Sequence, residues 1–407
     1  MKVLVMGSSK FPVPAVKGGA VPNLIEELIQ QQEIENKIDL YCCSLWDKEA
    51  ETESQKYIHT KFFWARIPQY IHCIDQAVIA ILKKIFRMER LLSIGFLFQI
   101  IWFSFYTAKL LKKENFDKVV FENSVPLLFA LKLNGNKRKY QDKYYIHMHS
   151  IPRRYYGNAR VFSECKRLIS ISEYVANEIV ADRRVIIRPE QVKVMYNCID
   201  IGLMKPGTKD ENYKLREKYS LAQDEKVILF VGRLCKEKGI EEVIKSVIEI
   251  ENQQIKLIIV GTNFYNSGIV SPYEEYLQKL AQPIKKQIIF TGYVDYSKMP
   301  YLYNIADVVV LPSMWEEPAG MTIIEAMACC KPVITTLSGG IPEYTGENNC
   351  IVLEKDNTLI LKIKSSIINV LNDPFYANEL ANRGHDRARR YNKAFYYEQF
   401  LKILVES

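Results

Sequence analysis

The chain has 407 residues, enough for two domains and for a core that needs neither disulfides nor a structural metal. Hydrophobic residues make up 48% and charged residues 25%, which excludes disordered, collagen-like and mucin-like classes. The net charge of +8 is uneven, with 30 basic and 21 acidic side chains in residues 1–200 against 25 and 26 in residues 201–407. A localised positive field attracts phosphates, anionic lipid or nucleic acid, although ordinary solvated surface gives the same count. Nine cysteines occur without a C-x-x-C pair or a histidine spacing that would suggest zinc. The opening MKVLVMGSS has an apolar run too short for a secretory signal, so reduced thiols and a cytoplasmic chain are expected.

In chain order, KVLVM (2–6) is a short apolar strand ending in a Gly-Ser loop, and a helical pattern runs from Ala20 to Gln32. IDLYCCSL (38–45) reads as a strand, followed by a long amphipathic region over 60–113. Within it, residues 91–108 hold 18 positions without a charge, between basic flanks. That segment fits a buried helix, a helix lying on a membrane surface, or a span of minimal length. Strands follow at 117–123, 143–150 and 167–172, and a polar linker with Gly and Pro occupies 197–214. The second half repeats the pattern with VILFVG (227–232), KLIIVG (256–261), QIIFTG (287–292) and DVVVLP (307–312), then PVITT (332–336) and CIVLE (350–354). Helical patterns fall at 240–250, 273–285, 298–305 and 321–330. Apolar runs of this kind are strands buried on both faces, so the expected fold is α/β, two doubly wound Rossmann-like domains facing a cleft. The boundaries are 1–200 for a first domain with a basic, apolar segment, 201–385 for a second domain, and 386–407 for a helix returning to the first domain.

Ligands of such sheets bind beyond the carboxyl ends of the strands. GRLCKEKG (232–239) places Arg233 and Lys238 where a strand hands over to a helix, a pairing suited to a pyrophosphate. SMWEEPAGMTIIEAMACCKP (313–332) places Glu317 before a helix start and Glu325 on the helix, with the amides of Gly320, Met321 and Thr322 free to meet a phosphate. A carboxylate near that position can accept two ribose hydroxyls. SGGIPEY (338–344) and KGGAVPN (17–23) add two Gly-Gly loops. His147 and His149 alternate onto one face of a strand end, with His149 nearer its carboxyl end.

Together GRLCKEKG, EEPAGMTIIEAMA, GGIPE, the N-terminal PVPAVKGG and the IHMHS strand end resemble the family 4 retaining glycosyltransferases over nearly the whole chain. The resemblance implies the GT-B fold, with 1–200 as an acceptor-binding domain whose basic, apolar segment faces a membrane and 201–385 as a nucleotide-sugar-binding domain. It also implies a nucleotide-sugar donor (UDP foremost) and no metal; no Asp-x-Asp occurs here. It implies that Arg233 and Lys238 neutralise the departing diphosphate, that Glu325 holds the ribose and that Glu317 and His149 meet the donor sugar. Gly19 is implied to let the backbone approach the phosphate and the acceptor. The sequence departs from the family at Cys198 and Cys350, where glycine is usual after asparagine, and at Ala319, where phenylalanine is common. The acceptor expected is a glycan or lipid-linked glycan at the inner membrane face, in cell-surface polysaccharide assembly (capsule or O-antigen). The alternatives are a non-catalytic, membrane-docked nucleotide-sugar-binding partner and a GT-B sugar-nucleotide epimerase. A nucleic-acid partner is not expected, because no recognition motif accompanies the basic residues.

Overall fold

The computed structural model describes residues 1–86, 96–262 and 271–406. The chain divides into two compact units, Met1–Cys198 with Lys393–Ser407, and Ile199–Asn392. The first unit is built on a seven-stranded sheet of β1 (Lys2–Met6), β2 (Asp39–Leu45), β3 (Thr60–Ala65), β4 (Lys118–Glu122), β5 (Tyr144–Met148), β6 (Arg167–Ser170) and β7 (Val192–Val194). Their order is β3-β2-β1-β4-β5-β6-β7, every pair parallel. The second unit has a six-stranded parallel sheet of β8 (Lys226–Val231), β9 (Ile255–Val260), β10 (Ile288–Gly292), β11 (Val308–Leu311), β12 (Val333–Thr336) and β13 (Ile351–Leu353). Its order is β10-β9-β8-β11-β12-β13. In both sheets the order reverses beside the first strand, so the loops after β1 and β4, and after β8 and β11, lie at switch points where ligands bind.

The apolar runs make central strands because both faces are covered: Ile228, Leu229, Ile258, Ile259, Val309 and Ile334 are fully buried. In the first unit Val3, Val5, Leu24, Leu28 and Tyr145 share a core with Tyr397, Phe400 and Leu404 from the helix Lys393–Val405. That helix is tied down by a buried bond from the Tyr397 hydroxyl to Gln32 and by the Lys393–Glu27 ion pair at 2.6 Å. Two edge strands escape the sequence reading. β3 lies at the head of the region read as amphipathic, and β7 has only three residues.

Of the uncharged segment, residues 91–95 lie outside the described residues, and a helix runs from Leu97 to Lys113. Its N-terminus is capped by Asp75, whose carboxylate accepts from the amides of Phe98 (3.0 Å) and Gln99 (3.1 Å). Gln99, Ser104 and Thr107 face inward, Gln99 donating to the Ser9 carbonyl, while Leu97, Ile101 and Phe105 are exposed. Phe103, which a membrane-facing reading would put outside, is fully buried. Among the described residues no helix is long and apolar enough to cross a membrane.

Candidate active site

In the second unit three loops meet at the carboxyl ends of β8, β11 and β12. Gly239 closes the 232–239 turn at φ 68°, and a Cβ there would stand 1.9 Å from the Pro312 carbonyl oxygen, so only glycine allows the turn to lie on the end of β11. The Met314 amide donates to the Glu237 carbonyl at 2.9 Å, which locks the two loops together. Gly339, at φ 49°, packs on the backbone of Glu317, and the Gly340 amide donates to the Glu317 carbonyl at 2.8 Å. These contacts bring the GRLCKEKG, EEPAG and SGGIPE loops onto one surface. A narrow crevice there is lined by Lys238, Ser313, Glu317, Gly320 and Thr322.

Three donors converge on one oxygen of Glu317. Its Oε2 accepts from Lys238 Nζ (2.7 Å), Trp315 Nε1 (2.8 Å) and Ser313 Oγ (3.1 Å), while Oε1 meets no described residue. The carboxylate is thus held rigidly, with one acceptor to spare. Lys238 also stands 5.8 Å from the centroid of the Trp315 ring. Arg233 is exposed and engages no described acid, so its charge is available to a ligand. The helix Met321–Ala328 starts at Gly320, in left-handed conformation at φ 72°, and the amides of Gly320, Met321 and Thr322 donate to no described residue. A cation and open amides along one crevice suit an anion.

Glu325 differs in character. It is 8% exposed, and its Oε2 accepts from the buried Tyr303 hydroxyl at 2.9 Å. Burial pushes its carboxyl up to about 7, against the hydrogen bonds of Tyr303 and Tyr296. The folded chain therefore keeps a proton that the unfolded chain surrenders near 4.5, so the stability this group adds is complete below that value and lost as pH rises towards 7. His149 acts in the opposite sense over much of that range, because its imidazole is lowered and the unfolded chain binds the extra proton. A thermal melt from pH 4.5 to 7.5, read as wild type minus Glu325→Gln, isolates the glutamate. The wild type is expected to lose stability relative to the variant by about 3 kcal/mol as the pH rises. A pH-independent difference would show that the carboxyl titrates normally.

In the first unit Gly19, at φ 109°, precedes the helix Ala20–Glu35, and its Cβ position meets Pro22 and Phe11 at 3.3 and 3.5 Å. The loop after β1 is fixed by the Val13 amide to Ser44 Oγ and the Ala15 amide to Glu26, both 2.8 Å. Beside it a cavity of about 590 Å³ is lined by Lys10, Phe11, Lys17, Trp46, Lys48 and His72, among others. At the end of β5, His147 and His149 lie on one face as alternation requires, ring centroids 4.2 Å apart. Between them sits Glu122, the last residue of β4, which the sequence reading passed over. Its Oε2 lies 2.9 Å from both His147 Nδ1 and His149 Nε2. Burial would raise that carboxyl, but His147 and the hydrogen bonds of both rings hold it well below the usual carboxylate range. Burial, with His147 beside it, lowers the His149 imidazole to about 4. The clue available in sequence was FEN (121–123), a carboxylate closing a buried strand.

Two parallel doubly wound sheets with these loops at their carboxyl ends define the GT-B architecture. Residues 211–390 match the family described as Glycosyl transferases group 1. Over its length the chain is 26% identical to the Bacillus subtilis protein YtcC, named as a glycosyltransferase, across 97% of this chain and 88% of that one. The lipopolysaccharide 1,2-N-acetylglucosaminetransferase of Salmonella typhimurium is 29% identical over 176 residues, 40% of this chain and 46% of its own. Among solved structures, Anabaena Alr3699/HepE in complex with UDP-glucose superposes with a TM-score of 0.70 at 19% identity, over 100% of both chains. The chain is a transferase with the GT-B glycosyltransferase fold.

Proposed function

We propose that the chain is a retaining, metal-independent glycosyltransferase that moves a sugar from a nucleotide sugar, UDP-linked in the first instance, to a lipid-linked glycan acceptor. The observation that carries this is the Glu317 carboxylate, clamped through Oε2 by Lys238, Trp315 and Ser313 while Oε1 stays free beside an open helix start. Arg233 and Lys238 flank the diphosphate, and the amides of Gly320, Met321 and Thr322 cap it. Glu317 Oε1 accepts a donor-sugar hydroxyl, Glu325 takes the ribose hydroxyls, and His149 is the residue of the first unit that serves the transfer. Gly19 keeps the start of its helix clear of side chain. Substitution with retention proceeds on the front face. The bond from the anomeric carbon to the β-phosphate oxygen breaks and the acceptor oxygen bonds to the same face. The acceptor proton passes to the departing phosphate, whose charge the two cations neutralise.

The cavity beside the loop after β1 supports an anionic acceptor, since Lys10, Lys17 and Lys48 line it, Asp47 is the one acid among its described lining residues, and Trp46, with Arg66 over one face of its ring, offers the other face to a sugar. A diphosphate-linked lipid glycan of the kind used in cell-surface polysaccharide assembly has both groups. Docking to the membrane surface is supported by Leu97, Ile101 and Phe105, which make one exposed stripe at helical spacing, extended by Phe129 6.3 Å from Phe105. Lys109, Lys112 and Lys113 follow on the same helix. Changing Leu97, Ile101 and Phe105 to serine is expected to reduce cosedimentation with anionic vesicles at least about tenfold, at unchanged melting temperature. Equal cosedimentation would remove the membrane from the reading. The proposed reaction is tested by incubating the protein with UDP-sugars and a polyprenyl-diphosphate glycan, with and without EDTA, and reading the new anomeric centre by NMR. Turnover of the donor without an acceptor would favour an epimerase; binding without any turnover would favour a non-catalytic partner.

A further inference from the structure

Residues Glu122 and Asn123, adjacent at the end of β4, both grip the end of β5. In the strand register Glu122 stands opposite His147, and the Asn123 amide donates to the His147 carbonyl at 2.8 Å. Asn123 then turns into left-handed conformation, at φ 47°, and its side-chain oxygen accepts the His149 amide at 3.1 Å. The Glu122 carboxylate, 3% exposed, meets one nitrogen of each imidazole. An ionised carboxylate only accepts, so both nitrogens that face it carry protons: Nδ1–H on His147 and Nε2–H on His149. The opposite nitrogens, His147 Nε2 and His149 Nδ1, are buried and meet no partner among the described residues.

These three residues also lie close enough together to suggest a metal site. The geometry speaks against one. A metal held at the nitrogens facing Glu122 would force the protons onto His147 Nε2 and His149 Nδ1, which then become buried N–H donors without acceptors. With the protons directed at Glu122, the unpartnered atoms are bare lone pairs, which cost less.

We propose that Glu122 is a positioning residue, which fixes the plane and the Nε2–H tautomer of His149 by accepting hydrogen bonds from both histidines at once. The proposal rests on the function proposed above, in which His149 serves the transfer. An imidazole at a strand end has two free torsions, and one carboxylate shared with a second ring removes that freedom without touching the ligand. Glutamine cannot do the same, because its single carbonyl serves one ring while its NH₂ points a donor at the proton of the other. One histidine must then rotate or change tautomer.

The first measurement needs no substrate. Long-range ¹H–¹⁵N NMR of ¹⁵N-histidine-labelled protein is expected to show His149 as the Nε2–H tautomer in the wild type, and a changed or mixed signal in Glu122→Gln. An Nδ1–H tautomer in the wild type would overturn the proposal whether or not transfer is observed. The second measurement uses steady-state kinetics. Glu122→Gln is expected to lower kcat on the order of 10²-fold with the donor KM nearly unchanged, because the diphosphate is held by residues of the second unit. Glu122→Asp, which keeps the carboxylate, is expected to recover part of that loss and most of the NMR signature. Equal kcat in wild type and Glu122→Gln would overturn the proposal. So would stoichiometric Zn²⁺ binding to the purified wild type that Glu122→Gln abolishes. Absence of transfer from every donor in the wild type would instead count against the proposed function, with the tautomer result still deciding the clamp.

Discussion

Replacing Arg233 by alanine is expected to lower kcat about 10²- to 10³-fold while leaving the melting temperature within about a degree of the wild type. The two halves of this expectation come from one observation. Arg233 is exposed and meets no described acid, so nothing in the fold depends on its charge and its removal creates no buried orphan. On the reading proposed above that guanidinium meets the leaving diphosphate, whose charge peaks in the transition state. Rapid-quench or coupled UDP-release assays measure the rate, and a differential thermal scan measures stability. A rate within threefold of the wild type would remove Arg233 from the reaction.

Glu317→Gln is expected to cost a comparable factor, on the order of 10²-fold in kcat/KM, by a different route. The amide oxygen of glutamine would turn towards Lys238, Trp315 and Ser313, which supply three donors. Its NH₂ would then occupy the position of Oε1 and present a donor where the sugar hydroxyl needs an acceptor. Losing a hydrogen bond between a hydroxyl and a carboxylate is worth about 1.5–3 kcal/mol, and the opposed donors add to it. Glu317→Ala goes further by freeing Lys238 from its 2.7 Å pairing, so its loss should exceed that of the glutamine variant. If both variants bind and turn over a UDP-sugar as the wild type does, the carboxylate serves only to hold the loop.

How much of this was legible in the sequence follows from what each feature depends on. The strands β8, β9 and β11 were readable because each is a continuous apolar run closed by glycine or proline, a pattern set by burial on both faces. β3, in contrast, opens a stretch with no closing glycine, and its side chains are half exposed at the sheet edge, so alternation and amphipathic helix look alike there. The loop residues Arg233, Lys238, Glu317 and Gly320 could be picked out because glycine and proline punctuate helix starts. The pairing of Lys238 with Glu317 across 79 positions could not, since it depends on how two loops dock. Glu325 was placed correctly on its helix, but its inward turn onto Tyr303 is a packing result. Glu122 was missed for a similar reason: its meaning comes only from the register that sets β4 beside β5.

The second unit is proposed to bind the diphosphate of a nucleotide sugar without help from a metal. Thermal shift of the whole chain against UDP-, dTDP- and GDP-sugars, each with and without EDTA, tests it most directly. A ligand at a hundredfold excess over its Kd stabilises the folded state by about 2.7 kcal/mol. The melting temperature is expected to rise with one base class, UDP foremost, in a way that survives EDTA and is much reduced in Arg233→Ala. No rise with any donor, or a rise that EDTA abolishes, would contradict it.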